Sequence, residues 1–138
     1  MEKQPKFIGD RIVAGLVDYI LIFSFLFYFA YEFGEPNSEG GYTLSGIFAL
    51  APILFWFMMT VGMELLFKAT LGNLLVGLKV VSLNEEYDEL TFGQSFKRHL
   101  VDLIDMSFFG LVGILLIQKT EKNQRLGDLW ANTTVVKK

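Results

Sequence analysis

Cysteine is absent, and histidine occurs once, at position 99. The first absence excludes disulfides, thiolate metal sites and cysteine nucleophiles, and one histidine cannot by itself build a His-rich metal site. Enzyme signatures are missing as well: there is no H-E-x-x-H, no G-x-S-x-G and no phosphate-binding glycine loop. The net charge is −3, which gives no footing for nucleic acid. The longest gap concerns basic residues. All twelve Lys and Arg are confined to three blocks, and none lies between Ile12 and Phe67. On these absences the chain is expected to hold no cofactor and to be no enzyme.

What is present is apolar. Of the 138 residues, 52 % are hydrophobic and 15 % aromatic, with fourteen Phe. That profile belongs to the membrane class, and the length suits a single domain spanning residues 1–138. The basic-free region predicts two membrane spans, at 12–33 and 44–67, joined by a non-cytoplasmic loop. Each is long enough to cross a hydrocarbon core of about 30 Å at about 1.5 Å per residue. The first apolar run is longer than the roughly 7–15 residues of a signal-peptide core and has no A-x-A-like site after it. It is expected to be a retained span with a cytoplasmic N-terminus. Pro52 is a candidate kink in the second span, and Trp56 a packing residue.

A third apolar stretch, 100–117, is ambiguous. A full crossing would place Lys119, Lys122, Arg125, Lys137 and Lys138 outside, against the positive-inside rule. The alternative is a re-entrant hairpin broken near Gly110 or Gly113. Two β-like runs, Leu78 to Leu83 and Thr133 to Val136, could pair outside the lipid, and only the hairpin alternative allows it. Thr91 and Gln94 have capping-box spacing ahead of a helix. The fold class expected is therefore an all-α membrane protein with two full transmembrane helices, a third membrane segment that spans or re-enters, and a small cytoplasmic β-like element.

Carboxylates inside these stretches are the functional clue, because a charge at membrane depth costs several kcal/mol unless it is paired, protonated or wetted. Arg11 and Asp18 are two helical turns apart on one face, with small Ala14 and Gly15 between them. They form either a charged path into the membrane or a polar seam between helices. Arg98, Asp102 and Asp105 repeat that geometry at i, i+4 and i+7. Arg98 with Asp102 reads as a local ion pair. Asp105 lacks a local cation. Glu64 either pairs with Lys68 one turn on or joins Thr60 and the other acids. The acidic run Glu85, Glu86, Asp88 and Glu89 reads as a solvated turn, since it lacks EF-hand spacing.

Four pieces in order resemble the RDD family of small prokaryotic membrane proteins. They are Arg11-x-x-Ala14-x-x-x-Asp18; Glu64 followed by Ala69-Thr70-Leu71-Gly72-Asn73 and Gly77-Leu78-Lys79-Val80-Val81; Leu90-Thr91-Phe92 with Arg98 and Asp105; and Gln124-Arg125-Leu126-Gly127-Asp128-Leu129-Trp130-Ala131-Asn132-Thr133. The resemblance implies that Arg11 and Asp18 are the first two residues of the family's name and that the second Asp is Asp105 or Asp128. Three departures stand out. Asn73 replaces the usual Lys, Asn132 the usual Gly, and Asn84 to Glu89 the usual Asp-Gly turn. The family is associated with suspected transport, and some members look like cation/proton antiporters. Together with the uncleaved spans, the resemblance implies a prokaryotic inner-membrane location.

Two functions are consistent with this. In the first, embedded carboxylates bind a monovalent cation or a proton for coupled transport. Two or three spans are too few to enclose a path, so this requires an oligomer. In the second, the chain is a non-catalytic membrane subunit or assembly factor whose charged residues hold helices together or dock a partner membrane protein.

Overall fold

The computed structural model describes residues 6–84, 89–105 and 110–138, without the side chains of Leu103 and Asp105. The expectations for Asp105 and for the acidic turn at Glu85, Glu86 and Asp88 therefore lie outside the described residues. The chain is mostly helical. Helix α1 (Ile8–Phe33) has 26 residues, about 39 Å at about 1.5 Å per residue, and helix α2 (Gly46–Phe67) has 22. Both are long and apolar enough to cross a membrane. Between them Glu35–Pro36 (β1) pairs antiparallel with Tyr42–Thr43 (β2).

Only Ala14, Asp18 and Ile22 of α1 are buried. They recur every four residues, so they form one stripe, and an acid sits in its middle. Farther along, phenylalanines hold α1 to α2. Phe25 stacks on Phe55 with ring centroids 4.0 Å apart, and Phe33 stacks on Phe48 at 5.5 Å. Offset aromatic pairs of this kind add about 0.5–1.5 kcal/mol beyond their buried area.

α2 opens with a 3₁₀ turn at Gly46–Ala49, and Pro52 follows in its first α-helical turn. A second irregularity comes at Met58–Gly62, a wide π-helical turn. The Thr60 hydroxyl donates to the Trp56 carbonyl there, at 2.7 Å. Trp56, Ile22 and Leu26 line an apolar cavity between the two long helices.

Beyond α2 come α3 (Leu71–Leu75), β3 (Leu78–Ser82), α4 (Phe92–Leu100), α5 (Asp102–Asp105), α6 (Leu111–Lys119), α7 (Leu126–Ala131) and β4 (Thr133–Lys137). Strands β3 and β4 pair antiparallel with Val80 opposite Val135. Leu78, Val80 and Val135 form a small core with Phe7, Val76 and Leu90 against it. The capping box of Thr91 and Gln94 starts α4. The Gln94 amide also donates to Ser82 Oγ and to the Ala131 carbonyl, tying α4 to the strands.

The third apolar stretch is not one helix. Gly110, with φ of 82°, caps α6 in a left-handed conformation that a right-handed helix cannot continue. The nine residues of α6 cover about 14 Å, half a hydrocarbon core. The chain after α6 returns to the end where α1 begins: Lys137 Nζ lies 3.0 Å from Asp10 Oδ2, and β4 lies beside β3. Asn132 closes α7 with φ of 53°. Asparagine is among the few non-glycine residues that tolerate that region, which explains how it can stand at this turn.

Candidate functional site

The end of α2, the start of α1 and the short helices enclose a buried polar group. Arg98 is its centre, fully buried on α4. Its Nε donates to both Glu64 carboxylate oxygens at 3.3 and 3.2 Å, and its Nη1 donates to Asp128 and, at 2.9 Å, to Thr133 Oγ1. Ser95, one turn earlier, donates to Glu64 Oε2 at 2.8 Å. Glu64, Asp128 and Thr133 are themselves fully buried. Burying an ion pair repays its desolvation only when the remaining lone pairs and protons find partners, and here they do.

His99 bridges to a second half of the group. Its Nδ1 is 2.8 Å from Asp102 Oδ2, and its Nε2 is 3.0 Å from Glu64 Oε1. Burial alone would lower the His99 pKa, but the Glu64 and Asp102 carboxylates outweigh it and raise the value to about 9. Asp102 also accepts from the Tyr19 hydroxyl at 2.6 Å and pairs with Arg125 Nη1 at 2.9 Å. Arg125 reaches Asp128 as well: its backbone N–H donates to Asp128 Oδ2 at 3.1 Å.

Two residues of α1 complete the arrangement in different ways. Arg11 Nη1 lies 3.4 Å from Asp128 Oδ2, and its Nη2 lies 3.4 Å from the Val135 carbonyl. Its Nε is buried without a hydrogen-bond partner among the described residues. Asp18 has no ion-pair partner among the described residues. Its Oδ1 accepts the Gly72 backbone N–H at 2.7 Å, so a buried carboxylate of α1 holds the first turn of α3. Gly72 allows that approach, since a Cβ there would strike the Ala14 carbonyl. Gly127 does the same for α7, where a Cβ would come within 2.6 Å of the Arg98 carbonyl.

A cavity of about 150 Å³ lies against this group, lined by Arg11, Asp18, Glu64, Arg98, His99, Asp102 and Arg125 together with apolar residues of α1 and α6.

Of the residues expected from sequence, Arg11, Glu64, Arg98, Asp102 and Asp128 meet in one group, and Asp18 lines the same cavity. Two local pairings differ. Arg98 spends its donors on Glu64, Asp128 and Thr133, while Asp102 engages His99, Arg125 and Tyr19. Lys68 pairs at 3.6 Å with Glu89 instead of Glu64. The helix backbone explains the second: Lys68 has φ of 58°, which ends α2 and turns its side chain off the Glu64 face. His99, Tyr19 and Ser95 join the group without being singled out by the sequence patterns above, and Arg125 and Thr133, which lie in the fourth motif, join it without having been given a role there. A signal exists in the sequence from α4 into α5, where Ser95, Arg98, His99 and Asp102 follow the i, i+3, i+4, i+7 spacing of a single helix face.

A model of the RDD family matches residues 5–132. The chain belongs to the RDD family. No curated protein and no solved structure matches it. Within this RDD protein the first named pair, Arg11 and Asp18, diverges: one turns to Asp128, the other to the α3 backbone. Asp128 is the acid that joins Arg11 to Arg98.

Proposed function

We propose that this RDD protein is a non-catalytic membrane subunit of a prokaryotic inner membrane, built to dock a partner membrane protein or a second copy of itself. Its N-terminus faces the cytoplasm, and the third apolar stretch dips into the bilayer as a re-entrant element without crossing. The observation that carries the reading is the pairing of the buried acids. Glu64, Asp102 and Asp128 each have an Arg or His within ion-pair distance. Acids so paired are already committed to cations of the chain itself and are poor carriers of an exchanging cation or proton. They serve instead to clamp α4, α7 and the strand pair onto the membrane helices. The outward-facing apolar residues of α1 and α2 are open to lipid and to a partner helix alike.

A second reading, cation- or proton-coupled transport in an oligomer, is favoured by one residue. Asp18 lines the cavity without an ion-pair partner among the described residues, and carboxylates at membrane depth serve proton relays. Ion flux in proteoliposomes under an imposed pH gradient separates the two readings. No cation-dependent proton movement is expected from well-inserted protein. Movement that Asp18→Asn abolishes would overturn the subunit reading and make this a transporter.

A further inference from the structure

Arg11 is under-used for a buried guanidinium. Its side chain is only 10 % exposed, its two hydrogen bonds to described residues are both long at 3.4 Å, and its Nε has no partner among those residues. An arginine so placed near a span's end normally extends to the phosphates of the bilayer surface. Here it faces the cavity instead.

The lining of that cavity is divided. Arg11 on α1, Asn73 on α3 and Arg125 at the start of α7 supply polar groups, while Ile12, Leu16 and Ile114 supply apolar surface. Ile12 and Leu16 are 43 % and 53 % exposed, so the cavity opens on the lipid-facing side of α1. Depth fits as well. Arg11 stands about 5 Å beyond the start of α1, at headgroup level, and Leu16 about 12 Å in, among acyl chains. The volume of about 150 Å³ is roughly ten times the ~10–15 Å³ that one water needs.

Carboxylates also line the space, each with an ion-pair or hydrogen-bond partner, although Asp102 Oδ1, ion-paired with Arg125, makes no hydrogen bond among the described residues. Glu64 is held by Arg98 and His99, Asp102 by Arg125, His99 and Tyr19, and Asp18 by the Gly72 N–H. Arg11 lines the space and holds its described partners only through bonds of 3.4 Å, weak enough to yield to a stronger acceptor.

We propose that this cavity is a binding site for one membrane phospholipid, its phosphate held by Arg11 and the first carbons of a chain lying along Ile12, Leu16 and Ile114. The site is independent of whether the chain transports or docks. A phosphate on a guanidinium makes charge-assisted hydrogen bonds that neither group makes with hydrocarbon. The lipid would fill the space between α1 and α6 and join the re-entrant element to the first span.

The test uses the full chain, delipidated in a nonionic detergent and titrated with phosphatidylglycerol. Unfolding temperature and native mass spectrometry are the readouts. Wild type should bind one lipid tightly and unfold at a higher temperature. Arg11→Gln should weaken that binding about tenfold or more, the loss expected for hydrogen bonds to a charged group. Ile114→Trp keeps every polar contact and fills the cavity, so it should abolish tight binding in a folded protein even if Arg11→Gln fails to fold. Equal lipid stabilisation in wild type and Ile114→Trp would overturn the proposal. So would equal stabilisation by uncharged diacylglycerol of the same chains. If inorganic phosphate alone reproduces the whole shift, the cavity is a simple anion site and the lipid assignment falls.

Discussion

Arg98 and Glu64 are 34 residues apart in the chain, yet Nε of the arginine donates to both oxygens of the glutamate. The contact joins the last turn of a membrane helix to a helix that lies beyond a strand. Removing one partner strands a buried charge. Arg98→Met is expected to cost about 3–5 kcal/mol, whereas Arg98→Met combined with Glu64→Met recovers a large part of it. Denaturant unfolding of the purified variants, read as a double-mutant cycle, checks this. Additive losses would mean that the two residues act independently.

Two glycines mark where backbones touch. Gly72→Ala would drive a methyl into the Ala14 carbonyl, and Gly127→Ala would press on the Arg98 carbonyl. Each should destabilise by about 1–3 kcal/mol, the usual cost of overpacking. Gly93, inside α4, has nothing within 4 Å of the place a methyl group would take. Gly93→Ala should therefore stabilise by about 0.5–1 kcal/mol through helix propensity alone. Thermal unfolding of the three variants ranks them.

His99 makes stability fall in mild alkali. Its folded pKa of about 9 exceeds the ordinary 6.5, so the folded state holds the proton more tightly. That contribution is fully present below about pH 6.5 and is lost as pH rises through about 9. It amounts to roughly 3 kcal/mol on the linkage relation. His99→Gln should flatten the unfolding free energy across that window. An unchanged slope would show that another group titrates there.

Asp18 tests what an acid in a span is for. Asparagine retains a side-chain oxygen for the Gly72 N–H, and alanine does not. Asp18→Asn should stay near wild-type stability, while Asp18→Ala should lose about 1–3 kcal/mol for a buried donor left unpaired. Hydrogen exchange at Gly72, faster in the alanine variant alone, would localise the effect.

The spans can be read from sequence because hydrocarbon imposes a simple demand: from Ile12 to Phe67 no basic residue interrupts the apolar runs. The strands are legible for a similarly local reason, in that Val80, Val81, Val135 and Val136 are β-branched and flanked by polar turns. The partners of the charges are not, because nearness in sequence suggests the wrong ones. Lys68 lies one turn from Glu64 and Asp102 one turn from Arg98, yet both acids are claimed from elsewhere in the fold. Which ion pair forms depends on how α4 and α7 seat against α2. That seating is set by Gly127 and by the β3–β4 register, neither of which advertises its contact. A lone histidine invites the question of metal binding first, and that question passes over the place of His99 between two acids.

Asp128 follows Arg98 by 30 residues, and Thr133 follows it by 35. A ribosome delivers both spans and α4 before it delivers either of these acceptors. Until α7 and β4 arrive, Arg98 lacks two of the partners it has in the folded protein, Asp128 and Thr133. The final seating is therefore a late step of biogenesis. A product cut short before α7 presents membrane proteases with a cation that should have been sealed inside.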